Sequence, residues 1–205
     1  MLIHRFIVLD GVEGCGKSTQ AQLLAEALTQ RGYPEVATHE PGGTATGERI
    51  RQVLLDPALS MNALTEALLF CASRAQHVAE VIRPALDEGK VVVCDRFSAA
   101  TAAYQGYAGG LGMDTFWRLD ELAVGDMQPD MTIILDLDPA IGKQRRLEQS
   151  ENMDRIEQKS NQYHQRVREG FLQYAEQVGP AAAVVDGDRT VAEVHADILR
   201  ILGIE

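Results

Sequence analysis

The apolar segment Arg5 to Asp10 runs directly into Gly11-Val12-Glu13-Gly14-Cys15-Gly16-Lys17-Ser18, and Thr19 to Leu28 follows with helical periodicity. A buried strand that turns at once into a helix fixes a βα unit. The pattern G-x-x-x-x-G-K-[ST] at that turn is one whose backbone wraps phosphate oxygens. Its glycines let main-chain N–H groups curl inward, and the helix N-terminus adds partial positive charge. Lys17 then neutralises the β and γ oxygens of a triphosphate, and Ser18 offers a hydroxyl to Mg²⁺. The expected ATP-binding residues are Gly11, Val12, Glu13, Gly14, Cys15, Gly16, Lys17, Ser18 and Thr19. A GTP-specific switch normally reads guanine through N-K-x-D, and the chain has no Asn-Lys pair.

The rest of the chain repeats the same logic. Short apolar runs at Arg5 to Asp10, Glu35 to His39, Val91 to Cys94, Met131 to Asp136 and Ala182 to Val185 alternate with amphipathic stretches. Those stretches are Lys17 to Arg31, Thr46 to Leu55, Ala63 to Asp87, Ser98 to Gln105, Asp114 to Ala123, Ala140 to Glu148, Asn161 to Val178 and Val191 to Leu202. Such alternation predicts an α/β fold with a five-stranded parallel sheet flanked by helices. At 205 residues without a repeat or linker, a single domain spanning 1–205 is expected.

Composition narrows the function. A net charge of −11 opposes nonspecific nucleic-acid binding, while 19 basic residues that include only four lysines leave many guanidinium groups for phosphate. Cys15, Cys71 and Cys94 form no paired spacing, so neither disulfides nor zinc is indicated. Met1 to Asp10 lacks a signal-peptide pattern and no apolar stretch has membrane-spanning length, so a cytoplasmic protein without a membrane partner is expected.

Parallel strands share one carboxyl edge, so Asp95 and Arg96, after Val91 to Cys94, should emerge beside the phosphate loop. Asp95 then orients Mg²⁺ water or holds Lys17, and Arg96 grips a phosphate; the alternative is a local ion pair capping the next helix. Arg51, beyond the turn Glu40 to Thr44, reaches the same edge. Phe70 and Arg74 lie four apart on one helix face, where a ring and a guanidinium can sandwich a base or simply pack. Thr101 and Tyr104 share another face. Gln144 to Ser160 is dense in charge and nearly devoid of apolar residues, which suits a solvated hairpin or a mobile lid and should not pack a core face.

Together Gly11 to Thr19, Glu40 to Thr44, the F-x-x-x-R of Phe70 to Arg74, Asp95-Arg96-Phe97, Pro129-Asp130 and Asp154-Arg155-Ile156-Glu157 resemble the thymidylate kinase family over nearly the whole chain. The resemblance implies a P-loop nucleoside-monophosphate kinase fold with a small lid at about 144–160. It also implies transfer of the γ-phosphate of ATP to dTMP, Mg²⁺ dependence and a homodimer. By position Phe70 stacks on thymine, Arg74 donates to its O4, Thr101 contacts the base and Tyr104 crowds the sugar 2′ position. Arg51 and Arg96, with Pro41 beside them, hold the monophosphate, and Glu13 lies near the sugar 3′-hydroxyl. Ser18 and Asp95 are the metal side, and Lys17, Asp95 and Arg96 the catalytic group. The phosphate loop carries no arginine, which resembles the branch that supplies lid arginines. Arg145 and Arg155 are the catalytic candidates there, with Arg146 an alternative, although Leu147, Glu148 and Gln149 interrupt the usual arginine run. Gly187-Asp188-Arg189-Thr190 resembles the adenine-side loop, placing Arg189 on the cofactor. A kinase for another nucleoside monophosphate and an ATP-hydrolysing switch are the competing readings.

Overall fold

A computed structural model describes residues 4–149 and 154–204 of the chain. Its strands are Phe6–Gly11 (β1), Glu35–His39 (β2), Val91–Asp95 (β3), Met131–Asp136 (β4) and Ala182–Asp186 (β5). They pair in parallel in the order β2-β3-β1-β4-β5. The expected sheet is therefore present, with β1 at its centre. β1, β3 and β4 are buried almost throughout, because helices cover both faces; β2 and β5, at the edges, are only partly buried.

Alternation along each strand divides the core. Ile7, Leu9, Val91 and Val93 belong to one apolar cluster, and Phe6, Val8, Val92 and Cys94 to another that includes Val78, Ile82 and Val124. The helices are Lys17–Gln30 (α1), Ala45–Leu55 (α2), Ala63–His77 (α3), Arg83–Asp87 (α4), Ser98–Thr101 (α5), Met113–Val124 (α6), Pro139–Gln149 (α7), Asn161–Val178 (α8) and Val191–Leu202 (α9).

Two expected helices differ in detail. Ala63 to Asp87 is interrupted by a π-helical turn at Val78–Ile82, just before Pro84 in the first turn of α4. Proline lacks an N–H and crowds the carbonyl of the preceding turn, and a wider turn accommodates it. Ser98 to Gln105 likewise continues through a π turn, Ala102–Ala108.

Gln144 to Ser160 also departs from expectation, and residues 150–153 of that segment lie outside the described residues. Ile156 is 7% exposed and packs in the main core, so this charged stretch does pack a core face through one residue. Among the described residues no helix is long and apolar enough to cross a membrane.

Candidate active site

The strand order reverses at β1, whose neighbours are β3 and β4, so a crevice opens beyond its carboxyl end. Register aligns Leu9 with Asp95 and His39 with Asp95, which brings the ends of β1, β2 and β3 to one edge. The phosphate loop leaves β1 into that crevice. α1 begins at Gly16, with φ 95° and no side-chain cap, whereas α9 is closed by a Thr190–Glu193 capping box. Uncapped N–H groups at α1 are thus left to an anion. Gly14 has φ 71°, and a Cβ there would stand 2.1 Å from the Gly142 carbonyl oxygen of α7. The loop rests backbone-to-backbone on α7, so a side chain at Gly14 would displace it.

A cavity of about 760 Å³ extends from this loop across the crevice. Its end at the phosphate loop is lined by Gly14, Gly16, Lys17, Ser18, Thr19 and Arg189, and Arg145 and Arg146 of α7 border it. Its far end is lined by Pro41, Arg51, Phe70, Thr101, Tyr104 and Gln105, with Glu13, Asp95 and Arg96 between the two. Most of the residues singled out from the sequence therefore converge on one space. Gly11, Val12 and Cys15 do not line it; Val12 and Cys15 are 2% and 3% exposed and pack in the core under the loop.

Arg96 stands at the junction. It is the one non-glycine residue with positive φ, 73°, among those described, while its N–H still donates to Leu9 O at 2.9 Å. That conformation is costly for a side-chain-bearing residue and is found where geometry is fixed for a purpose. Its guanidinium donates to Glu13 Oε1 at 3.1 Å, to Gly11 O at 3.3 Å and to Asp10 Oδ1 at 3.4 Å, and lies 5.5 Å from the Tyr104 ring centre. Tyr104 donates its hydroxyl to the other Glu13 oxygen. Burial would raise the Glu13 carboxyl, but Arg96, Lys17 and the Tyr104 hydroxyl hold it below the usual range. Burial and that same carboxylate push the Tyr104 phenol well above its ordinary value.

Asp95 accepts the Ser18 hydroxyl on one oxygen, and its other oxygen, Oδ1, is buried without a partner. Of the two expected roles, holding Lys17 is not seen: Lys17 Nζ donates to Val12 O at 3.3 Å. The Ser18 hydroxyl and the Asp95 carboxylate, with its unused oxygen, form a hard-donor pair suited to an octahedral cation that keeps waters and phosphate oxygens. Among the described residues no group of three or more His, Cys, Asp or Glu could hold a metal.

Two expected residues stand elsewhere. Arg74 is 1% exposed and does not line the cavity. Its guanidinium donates to Glu40 at 2.9 Å, Asp120 at 3.2 Å, Phe97 O at 2.9 Å and Thr101 Oγ1 at 3.0 Å. Two buried carboxylates draw it inward, and there it supports Thr101, which does line the cavity. Arg155 also lies away from the cavity, bound to Glu66 and to Leu54 O at 3.0 Å. Arg145 donates to Gly187 O at 3.1 Å and Asp188 at 3.0 Å, and Arg146 to Glu157 at 2.8 Å.

Sequence reasoning passed over Asp10, the last strand residue before the turn. It is fully buried and accepts the N–H groups of Gly11 at 2.9 Å, Phe97 at 3.2 Å and Ala100 at 2.9 Å, tying the phosphate loop to the start of α5. Burial pushes it up to about 6 against the pull of Arg96 and those amides. A lone acid at the carboxyl end of a buried strand was the available signal.

Comparison with known proteins points the same way. A family model described as thymidylate kinase matches residues 9–198. The thymidylate kinase of Symbiobacterium thermophilum is 50% identical over 198 residues, covering 96% of this chain and 92% of that protein. That of Ectopseudomonas mendocina is 46% identical over 198 residues, covering 96% and 94%. The crystal structure of thymidylate kinase from Ehrlichia chaffeensis is similar with a TM-score of 0.80 at 33% identity, covering 98% of each chain.

Proposed function

The chain belongs to the thymidylate kinase family and phosphorylates dTMP, and on that premise we propose that the single cavity spanning the phosphate loop and the Phe70–Tyr104 wall is where both nucleotides meet. The observation that carries the assignment is the Arg96 guanidinium, which reaches from the end of β3 to Glu13 inside the phosphate loop. ATP, the donor used by the family, sits with its phosphates on the uncapped start of α1 and Lys17. Arg189 lies on the adenine side. The dTMP base lies on Phe70 beside Thr101, its sugar faces Tyr104 and Glu13, and its phosphate meets Arg51 and Arg96. Arg51 is held toward that end by donating to Pro41 O at 2.9 Å.

The reaction joins an oxygen of the dTMP phosphate to the γ-phosphorus and breaks the bond from that phosphorus to the β–γ bridging oxygen, releasing ADP. The acceptor is largely ionised near pH 7 because its second pKa is about 6, so no strong general base is required. What the protein contributes is alignment and charge neutralisation. Lys17 and Arg96 flank the transferring group, and Arg145 and Arg146 border it from α7. Mg²⁺, held through Ser18 and Asp95, supplies further neutralisation of the phosphate oxygens. Asp154, Ile156 and Glu157 line the same cavity, and a lid that closed there would limit attack by water.

The same reading extends to a single domain, a cytoplasmic location and a homodimer. For the last, Val53 of α2, Leu64 and Leu68 of α3 and Leu122 of α6 are 43%, 45%, 48% and 85% exposed on helices that pack against one another. A second copy of the chain covering this face gives sedimentation at twice the monomer mass.

A coupled ADP-release assay with dTMP, dUMP, dCMP and thymidine at equal concentration tests the assignment. dTMP is expected to be preferred, with some dUMP turnover, because one methyl group is worth only about 1–3 kcal/mol. Preference for thymidine over dTMP overturns it, since Arg51 and Arg96 would have no phosphate to hold.

A further inference from the structure

The positive φ of Arg96, 73°, persists only where the residues on either side are fixed. Upstream the sheet fixes it: the Arg96 N–H donates to Leu9 O at 2.9 Å, and the Cys94 thiol donates to the Arg96 carbonyl at 3.0 Å. Downstream the holds converge from two sides. Asp10, at the end of β1, takes the Phe97 N–H at 3.2 Å. From the other side Arg74 Nη2 donates to Phe97 O at 2.9 Å, and the Ser98 hydroxyl donates to Asp120 Oδ1 at 2.6 Å. Arg74 Nη1 donates to that same Asp120 oxygen at 3.2 Å. Both holds on this second side therefore end on one atom.

Asp120 belongs to α6, is 0% exposed and does not line the cavity. Burial would lower Arg74, but Glu40 and Asp120 hold it above its ordinary value, so the guanidinium stays charged. Glu40 already supplies one carboxylate, at 2.9 Å from Arg74 Nε. What Asp120 adds is an oxygen that Arg74 and Ser98 share. Its second oxygen, Oδ2, is buried without a partner. A buried polar atom left unpaired costs free energy, so the hold rests on Oδ1 alone.

We propose that Asp120 is a positioning residue for phosphoryl transfer: through Ser98 and Arg74, its Oδ1 fixes the two residues after Arg96 and so keeps the Arg96 guanidinium aimed into the cavity. This rests on Arg96 meeting the dTMP phosphate there.

The test is a double-mutant cycle. kcat and KM for dTMP and for ATP are measured in wild type, Asp120→Ala, Asp120→Asn, Arg96→Ala and the variant carrying both alanines, with folding followed by thermal melting. Asp120→Ala is expected to lower kcat/KM for dTMP about tenfold or more, the scale of one or two lost hydrogen bonds, and to leave the KM for ATP as in wild type. Asp120→Asn can place its oxygen at Oδ1 and its NH₂ where Oδ2 has no partner, so it keeps both bonds and should recover most of that loss. On the Arg96→Ala background there is no guanidinium to aim. Asp120→Ala should then lower kcat/KM no more than about twofold further, while the melting temperature still falls. A purely structural Asp120 would repeat its full loss on that background. That result, a normal Asp120→Ala, or an Asp120→Asn as poor as Asp120→Ala overturns the inference, and an impaired Arg96→Ala beside it leaves the site intact. If Arg96→Ala is itself normal, the placing of Arg96 on the phosphate falls and the inference with it. Should Asp120→Ala fail to fold, Ser98→Ala removes one of the two bonds from the other side and takes its place in the cycle. A loss that vanishes on Arg96→Ala supports the proposal; a loss that persists, or none at all, refutes it.

Discussion

Arg96 Nη2 lies 3.1 Å from Glu13 Oε1, so the first residue beyond β3 and the third residue of the phosphate loop form one ion pair across the centre of the cavity. Their side chains are 18% and 21% exposed, which leaves the pair reachable by ligand yet shielded enough for its charge to count. In the proposed site, a phosphate entering between the nucleotide ends would meet a guanidinium already aimed by Glu13, Asp10 and Gly11 O. Such preorganisation removes a reorganisation cost at the moment of transfer.

Arg96→Ala is therefore expected to raise the KM for dTMP and to lower kcat together, with kcat/KM down about 10²-fold or more, the usual scale for one lost electrostatic contact at a developing charge. It also leaves Glu13 and Asp10 without their cation, and breaking a buried pair costs about 3–5 kcal/mol of stability. Arg96→Lys restores charge without the planar fork and should recover stability better than turnover. Steady-state kinetics below the melting temperature of each variant check both statements; normal kinetics for Arg96→Ala would remove it from the site.

Asp10 gives a pH dependence of defined sign. Its carboxyl is raised from 3.8 to about 6 in the folded chain, first by burial, so the native state binds this proton more tightly than the unfolded state does. Its contribution to stability is full below the unfolded value and is lost as the pH rises through about 6. A shift of this size corresponds to about 3 kcal/mol. Denaturant unfolding of wild type and Asp10→Asn at several pH values between those limits should show the wild-type advantage shrinking as pH rises. A difference that stays flat, or grows with pH, contradicts the assignment.

Gly142 lies on α7, outside every recognised motif, yet a Cβ there would meet the Glu13 carbonyl oxygen at 2.1 Å. Gly142→Ala, ordinarily favourable within a helix, is expected instead to push the phosphate loop off α7, lowering the melting temperature and weakening ATP binding about tenfold. The exposed control Gly89→Ala, with open space around it but φ 77°, should cost stability of about 1–2 kcal/mol without changing ATP affinity. Calorimetric ATP titration separates the two; equal ATP affinities would mean that the contact does not shape the loop.

How much of this was legible beforehand depended on the range of the signal. β2, β4, α8 and α9 match their expected bounds because strand and helix periods and caps are local. The convergence of the phosphate loop, Asp95 and Arg96 was legible for a related reason, since a parallel sheet sends all strand ends to one edge. What the sequence hides is competition between partners. Nothing near Arg74 in the chain announces that Glu40 and Asp120, 34 and 46 residues away, will draw its guanidinium inward. Nor does the polar run around Arg155 disclose that Ile156 reaches the core or that Glu66, 89 residues earlier, waits for the neighbouring arginine. The π turns were invisible for the same reason, their helical periodicity being intact on either side.

The three arginines of the charged segment differ in what holds them, and that difference predicts which one acts. Arg146 is 35% exposed and held by Glu157, which is only 8% exposed, whereas Arg145 is 37% exposed and its carboxylate partner, Asp188, is 57% exposed. Exposed pairs of this kind are worth about 0–1 kcal/mol, so Arg145 in particular is released at little cost when a more highly charged phosphate arrives. Arg155 is 9% exposed against a 2% exposed Glu66, and a buried cation leaves such a partner only at the cost of stranding its charge. Arg145→Ala or Arg146→Ala, at least one of them, should lower kcat about 10²-fold with little change in melting temperature. Arg155→Ala should chiefly lower the melting temperature, with a smaller fall in kcat. The largest kcat loss falling on Arg155→Ala at an unchanged melting temperature would reverse the assignment, and three near-normal enzymes would leave the transition-state charge to Lys17 and Arg96 alone.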